Sequence, residues 1–270
     1  MSLAGVFDSG VGGLSVLRAI RQHLPALPAI YLADQAHVPY GVRSLEEVRG
    51  FSEEITRFLL SQGASLIVVA CNTASAAALR HLRATFPEVP FVGMEPAVKP
   101  AAESTHSGKV GVLATRATFQ GELYASVVER FASDVHLYQH TLPGLVQAIE
   151  AGDLTAPATR AILEDALQPM LEAGIDTIVL GCTHYPFVIP LIEEIAGPNV
   201  RVIDPAGAIA RQVERLLVKS GWSPVDQAPA RPQFITTGQP HTFQRQLAFL
   251  TGDDEPVRQA LWQGGELRLA

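Results

Sequence analysis

Cysteine is nearly absent from this sequence: Cys71 and Cys182 are the only two in 270 residues. Two cysteines do not build a disulfide framework, and in a reducing cytosol both persist as thiols, available for catalysis, metal binding or packing. Long apolar runs are also missing; no stretch approaches the roughly 20 residues of a membrane span. No charged segment followed by an apolar one opens the sequence, so no secretory leader is expected, and the expected location is the cytoplasm. Positive charge is scarce, with 20 Lys and Arg against 27 Asp and Glu, a net charge of −7 and no basic tail or stripe. That argues against a large nucleic-acid or acidic-membrane footprint, and leaves open a small anion held by local dipoles.

What is present is a core. Hydrophobic residues make up 47% of the chain and charged residues 17%, enough apolar material for one large or two modest domains. Short β-branched runs alternate with longer helical patterns, which predicts an α/β fold with mainly parallel sheets. Strands are expected over Leu3–Phe7, Ala29–Ala33, Leu66–Ala70, Val89–Gly93, Lys109–Ala114, Val135–Tyr138, Thr177–Gly181 and Val200–Ile203. A helix is expected from Ser44 to Gln62, opened by a Ser44/Glu47 capping box and followed by Gly63. Its apolar positions Val48, Phe51, Ile55, Phe58 and Leu59 make one face.

The sequence also echoes itself. Leu66–Thr73 (LIVVACNT) resembles Thr177–His184 (TIVLGCTH), and Gly5–Asp8 is echoed by Gly111–Ala114, both at an offset of a little over 100 residues. The expectation is two pseudo-symmetric doubly wound domains with the active site in the cleft between them. One would comprise residues 1–97 with 207–270, the other 98–206. A helix over Ile209–Lys219 should pack back on the first unit. The Pro-rich piece 223–232 reads as a loop, and nothing is readable from Gly252 onward.

Both cysteines fall where a strand enters a polar turn, the place where parallel sheets bind ligands. A following helix would favour a thiolate there. A lone cysteine in an apolar strand is usually a small core residue, but matching positions in two half-repeats point to a pair of thiols facing one cleft. Such a pair suits proton removal on one face of a carbon and return on the other. A Cys₂His zinc site of Cys71, Cys182 and His184 is the rival use.

The turn Asp8-Ser9-Gly10-Val11-Gly12-Gly13-Leu14-Ser15 partly matches a dinucleotide fingerprint, with Asp34 at about ribose distance. Ser15 stands at the third glycine position, and Asp8 would oppose a pyrophosphate. The alternatives are a helix N-terminus receiving a smaller anion, such as a substrate carboxylate, or a plain β–α turn. His184 is placed to polarise Cys182, and Asp8 stands in the same relation to Cys71. Tyr40-Gly41 by spacing alone is an ordinary turn, and Glu150 alone a solvated charge.

Together these pieces resemble the glutamate racemase family. The resemblance is carried by Phe7–Leu14, Tyr31–Asp34 running to Pro39–Gly41, Ala70–Ser75, Glu95–Ala97, Leu113–Thr115, Leu180–Pro186 and Ile203–Ala206, in family order. It implies a cofactor-independent racemase interconverting L- and D-glutamate and supplying D-glutamate for peptidoglycan, with no metal. By resemblance Cys71 deprotonates D-glutamate and Cys182 L-glutamate, with Asp8 and His184 assisting. Asp8, Ser9, Tyr40, Gly41, Asn72, Thr73, Thr183 and His184 map onto substrate-contacting positions. Glu150 aligns with an acidic residue supporting the histidine, and Thr115 and Thr118 with groups that hold a carboxylate. The run Gln139–Val146 before Glu150 departs from the usual family pattern, and the segment after about Pro224 has no matching motif. A homodimer is the expected assembly.

The chemistry needs such residues. A proton alpha to a carboxylate is very weakly acidic, so without an imine cofactor the carbanionic transition state must be met by oriented donors and exclusion of water. No lysine sits in these motifs to form a pyridoxal Schiff base.

Overall fold

A computed structural model describes residues 2–222 and 228–270. Its strands are β1 Ala4–Asp8, β2 Ala29–Ala33, β3 Leu66–Val69, β4 Phe91–Gly93, β5 Lys109–Ala114, β6 His136–His140, β7 Thr177–Gly181, β8 Arg201–Ile203, β9 Gln233–Thr236, β10 Val257–Gln263 and β11 Glu266–Leu269. One sheet runs β11-β10-β9-β2-β1-β3-β4 and the other β6-β5-β7-β8. Every pairing is parallel except β10 with β11. The order β2-β1-β3-β4 recurs as β6-β5-β7-β8, so the echo in sequence is an echo in topology. β1 and β5 are equivalent inner strands of the repeated unit, and β3 and β7 lie beside them.

The central strands read as unbroken apolar runs because helices cover both faces of the sheet. In the first sheet, Val6, Tyr31 and Val68 point into a core shared with the helices Leu14–His23 and Ala206–Lys219. Their neighbours Phe7, Leu32 and Ile67 point the other way, against the helices Leu45–Ser61 and Asn72–Thr85. In the second sheet Ile178 and Leu180 join the first of these cores, and Val110, Val112 and Val179 build a third under the helices Val98–Ser104 and Glu122–Phe131. The first core therefore spans both sheets. Each of its fully buried Leu, Ile or Val side chains contributes about 1.5–3 kcal/mol relative to exposure.

Local signals behave as the residue chemistry dictates. The Glu47 N–H donates to Ser44 Oγ (3.2 Å), and the Ser44 N–H donates back to Glu47 Oε2 (3.0 Å). Past the C-cap Gln62, Gly63 takes a left-handed turn at φ +90. Gly174, before β7, does the same at φ +82.

The C-terminal region departs most from expectation. After the helix Ala206–Lys219, which does pack on Leu14–His23, β9 joins the edge of β2. The helix Pro240–Thr251 follows, and β10 and β11 complete the first sheet as a hairpin. Residues 223–227 of the expected loop lie outside the described residues; 228–232 carry neither helix nor strand. Among the described residues no helix is long and apolar enough to cross a membrane.

Candidate active site

β1, β3 and β7 all deliver their carboxyl ends to one cleft. β1 ends at Asp8, β3 runs on into Cys71, and β7 into Cys182. The cleft holds a cavity of about 560 Å³. Ser9, Tyr40, Gly41, Cys71, Asn72 and Thr73 line it from the first sheet; Thr115, Cys182, Thr183 and His184 line it from the second. Asp8 lies beneath the wall, with no solvent exposure. Both cysteines are free and buried.

The two thiols have different surroundings. Cys71 caps the helix Asn72–Thr85, its Sγ accepting the Ala74 N–H at 3.4 Å. Burial and the adjacent Asp8 carboxylate push this thiol well above its ordinary pKa, against the pull of the Ala74 N–H. Cys182 Sγ lies 3.9 Å from Nδ1 of His184, whose Nε2 is 2.7 Å from Glu150 Oε1. Burial alone would lower the His184 pKa. The hydrogen bonds to Cys182 and Glu150 outweigh it and hold the ring well above its usual range. Glu150 is likewise pushed up by burial and pulled down further, chiefly by His184, to a net lowered pKa. Asp8 is raised by burial, with His184 and the N–H groups of Gly13 and Gly10 opposing.

Three donors of the glycine turn are taken by the protein's own carboxylates and are not open to a pyrophosphate or a substrate carboxylate. The N–H groups of Gly10 and Gly13 donate to Asp8 Oδ2 at 3.1 and 3.0 Å. The Val11 N–H donates to Glu150 Oε1 at 2.8 Å, so the anion received at this helix start is the protein's own Glu150. A Cβ on Gly10 would overlap the Glu150 carboxylate, and one on Gly12 the His184 ring. The absent side chains let the second half approach the first. Ser15, at the third glycine position, has its hydroxyl between the carbonyls of Gly12 (2.8 Å) and Thr183 (3.0 Å). Asp34, at ribose distance in sequence, is fully buried. It accepts from Tyr40 Oη (2.6 Å), Thr237 Oγ1 (2.8 Å) and Trp262 Nε1 (2.8 Å), with His37 Nδ1 2.9 Å away. Tyr40 thus lines the cavity with its hydroxyl committed to Asp34.

Asn72 has its amide buried, with neither Nδ2 nor Oδ1 partnered among the described residues. A buried amide without partners costs a few kcal/mol unless something in the cavity meets it. Thr73 and Thr115, from opposite walls, have hydroxyls 2.9 Å apart, and Thr118 Oγ1 is 2.9 Å from Thr115 Oγ1. Among the described residues no group of three His, Cys, Asp or Glu side chains is arranged to hold a metal ion.

A family model described as Asp/Glu/hydantoin racemase matches residues 11–213. The glutamate racemase of Pseudomonas aeruginosa is 54% identical over 253 residues, which cover 94% of this chain and 95% of that one. This chain belongs to the Asp/Glu/hydantoin racemase family. Among solved structures, a glutamate racemase isoform from Bacillus anthracis superposes with a TM-score of 0.85 at 33% identity, covering 95% of this chain and 96% of that one. The Escherichia coli glutamate racemase, solved with L-glutamate and the activator UDP-MurNAc-Ala, gives 0.83 at 32% identity, covering 100% and 99%. The two parallel α/β sheets are those of these racemases.

For a racemase the geometry is economical: two thiols on opposing walls of one cavity can address two faces of a carbon held between them. Glu150, by its residue type and position a solvated charge and by the family resemblance a support for the histidine, is an almost buried hub whose side chain is 13% exposed and lies 2.7 Å from His184. Gln246 and Trp262 lie in stretches with no motif, and Gln35 carries no chemistry of its own within the matched stretch from Tyr31 to Gly41; only the fold brings the three in.

Proposed function

We propose that this racemase interconverts L- and D-glutamate without a cofactor, by a two-thiol acid/base mechanism, and supplies D-glutamate for peptidoglycan. One observation carries the reading: the two free thiols, at corresponding strand ends of the two sheets, line the same cavity. Cys71 takes the alpha proton from D-glutamate and Cys182 from L-glutamate; the opposite thiol returns a proton to the other face. Asp8 serves Cys71 as proton partner. An imidazolium at His184 offsets the charge on a Cys182 thiolate. Asn72, with its unpartnered amide, and Ser9, Gly41, Thr73 and Thr183 orient the substrate and meet the charge that develops on its carboxylate. The halves at 1–97 with 207–270 and at 98–206 form the walls, and the working form is a cytoplasmic homodimer.

In deuterated water, turnover of either enantiomer should place deuterium at the alpha carbon. Cys71→Ala and Cys182→Ala should each abolish racemization. Full activity in either variant would sink the mechanism, and faster turnover of aspartate than of glutamate would sink the substrate assignment.

A further inference from the structure

The Glu150 carboxylate is a junction. Oε1 accepts the Val11 N–H at 2.8 Å and faces His184 Nε2 at 2.7 Å. Oε2 faces two amides, Gln35 Nε2 at 3.2 Å and Gln246 Nε2 at 3.5 Å. Gln246 Nε2 donates more closely, at 2.6 Å, to the backbone carbonyl of Glu150 itself. Gln35 Nε2 donates to Gln246 Oε1 at 2.8 Å, and Gln35 Oε1 accepts from Thr236 Oγ1 at 2.9 Å. The nitrogen and oxygen of each amide have a partner, which fixes both side-chain orientations.

Glu150 belongs to the helix Leu145–Ala151 of the second half. Its partners other than His184 come from the first half: Val11 from the turn after β1, Gln35 from the turn after β2, and Gln246 from the helix Pro240–Thr251. That helix is itself braced. Arg21 binds Asp253 just past its end through two contacts of 2.7 Å. Through Gln246 the helix therefore holds the residue that aligns His184.

We infer that Gln246, with Gln35 as its brace, is a positioning residue for the Cys182 side of the reaction, acting through Glu150 and His184 rather than on substrate. The inference rests on the two-thiol reading above. Gln246 holds the main chain of Glu150 directly and its carboxylate chiefly by bracing Gln35. Its loss lets the Glu150 main chain and Gln35 shift, and the carboxylate and the His184 ring follow. The Cys71 side, held by Asp8 and the Ala74 N–H, feels His184 only through its charge on Asp8. The consequence is asymmetric: the Cys182 transfer slows more than the Cys71 transfer.

Steady-state rates cannot show this, because the enantiomers are equal in energy and kcat/KM must fall equally in both directions. Primary isotope effects can. With alpha-deuterated L-glutamate the deuterium is taken by Cys182; with the D-enantiomer, by Cys71. Gln246→Leu should lower kcat/KM about 10-fold or more, as expected for misplaced catalytic geometry. It should raise the isotope effect on the L-enantiomer, lower that on the D-enantiomer, and leave the thermal midpoint of the folded protein within a few degrees. Gln35→Met should shift the two isotope effects in the same senses, and carries the test if Gln246→Leu does not fold. A rate loss with both isotope effects unchanged, or no rate loss, overturns the inference. Wild-type protein measured first separates the two levels: no solvent deuterium at the alpha carbon overturns the two-thiol reading itself, and this inference with it.

Discussion

Gly10 leaves room for Glu150: where a side chain at position 10 would begin, the carboxylate of a residue from the other half of the molecule already sits. Gly10→Ala therefore forces the two halves apart at the point that aligns His184. Overpacking of this kind costs about 1–3 kcal/mol, and activity should fall far more than stability. Gly50 is the internal control. It lies within the helix Leu45–Ser61, and a Cβ there would meet nothing within 4 Å, so Gly50→Ala should stabilise by about 0.5–1 kcal/mol and leave turnover unchanged. Thermal unfolding and activity of the two variants side by side decide this; a Gly10→Ala enzyme with full activity would refute the close apposition.

How far the sequence reveals this arrangement differs by region. The inner strands among β1 to β8 are readable because helices bury both faces, leaving compact apolar runs such as Leu66–Val69 and Thr177–Gly181, whereas the edge strands β6 and β8 are exposed or half-buried. β10 is not, because it lies near the sheet edge and only Ala260 of Val257–Gln263 is buried; its Arg, Gln and Trp residues give no clean alternation. In the site, the thiols announce themselves by their repeated turns. Glu150 is marked only by the family resemblance, because its burial is made by Val11, Gln35 and Gln246, distant in sequence and chemically ordinary.

The pH dependence of stability should carry the mark of His184. Its pKa is raised in the folded protein despite burial, through Cys182 and Glu150. The stabilisation is therefore present in full below the unfolded value of about 6.5 and is lost as pH rises through the elevated folded value. Denaturant unfolding of wild type and His184→Asn from pH 6 to 10 should show the wild-type advantage shrinking toward alkaline pH. An advantage growing with pH would contradict the ring's partnership with Glu150.

Asp176 should act in the opposite direction. Burial pushes its carboxyl up, but Thr105 Oγ1 (2.6 Å), the N–H groups of His106 (2.6 Å) and Ser107 (2.7 Å), and Thr177 Oγ1 (3.0 Å) outweigh it and hold it well below the usual carboxylate range. Its contribution is present above the unfolded value of about 3.9 and is lost as pH falls through the depressed folded value. Allowing for solvent access, Asp176→Asn should cost about 1 kcal/mol near neutral pH. The gap from wild type should narrow in acid, as equilibrium unfolding between pH 2 and 7 would reveal.

Trp262 ties the hairpin to the cleft, since its indole N–H meets the fully buried Asp34 that also holds Tyr40. Trp262→Phe keeps an aromatic ring and removes the donor. A hydrogen bond to a buried carboxylate contributes about 1.5–3 kcal/mol, so stability should drop by that order and KM should rise as the Tyr40-Gly41 turn loosens. Unchanged KM in a destabilised variant would confine Trp262 to folding.

The order of strands in the first sheet has a consequence for synthesis. β2 waits for β9, which arrives after the whole of the other sheet has been made. On the ribosome the four-stranded sheet, drawn from one unbroken stretch, is the first that can close. The seven-stranded sheet must hold one flank of β2 unpaired until the last strands emerge, so the edge most exposed to wrong partners during translation is the one that later carries Gln35 and Asp34.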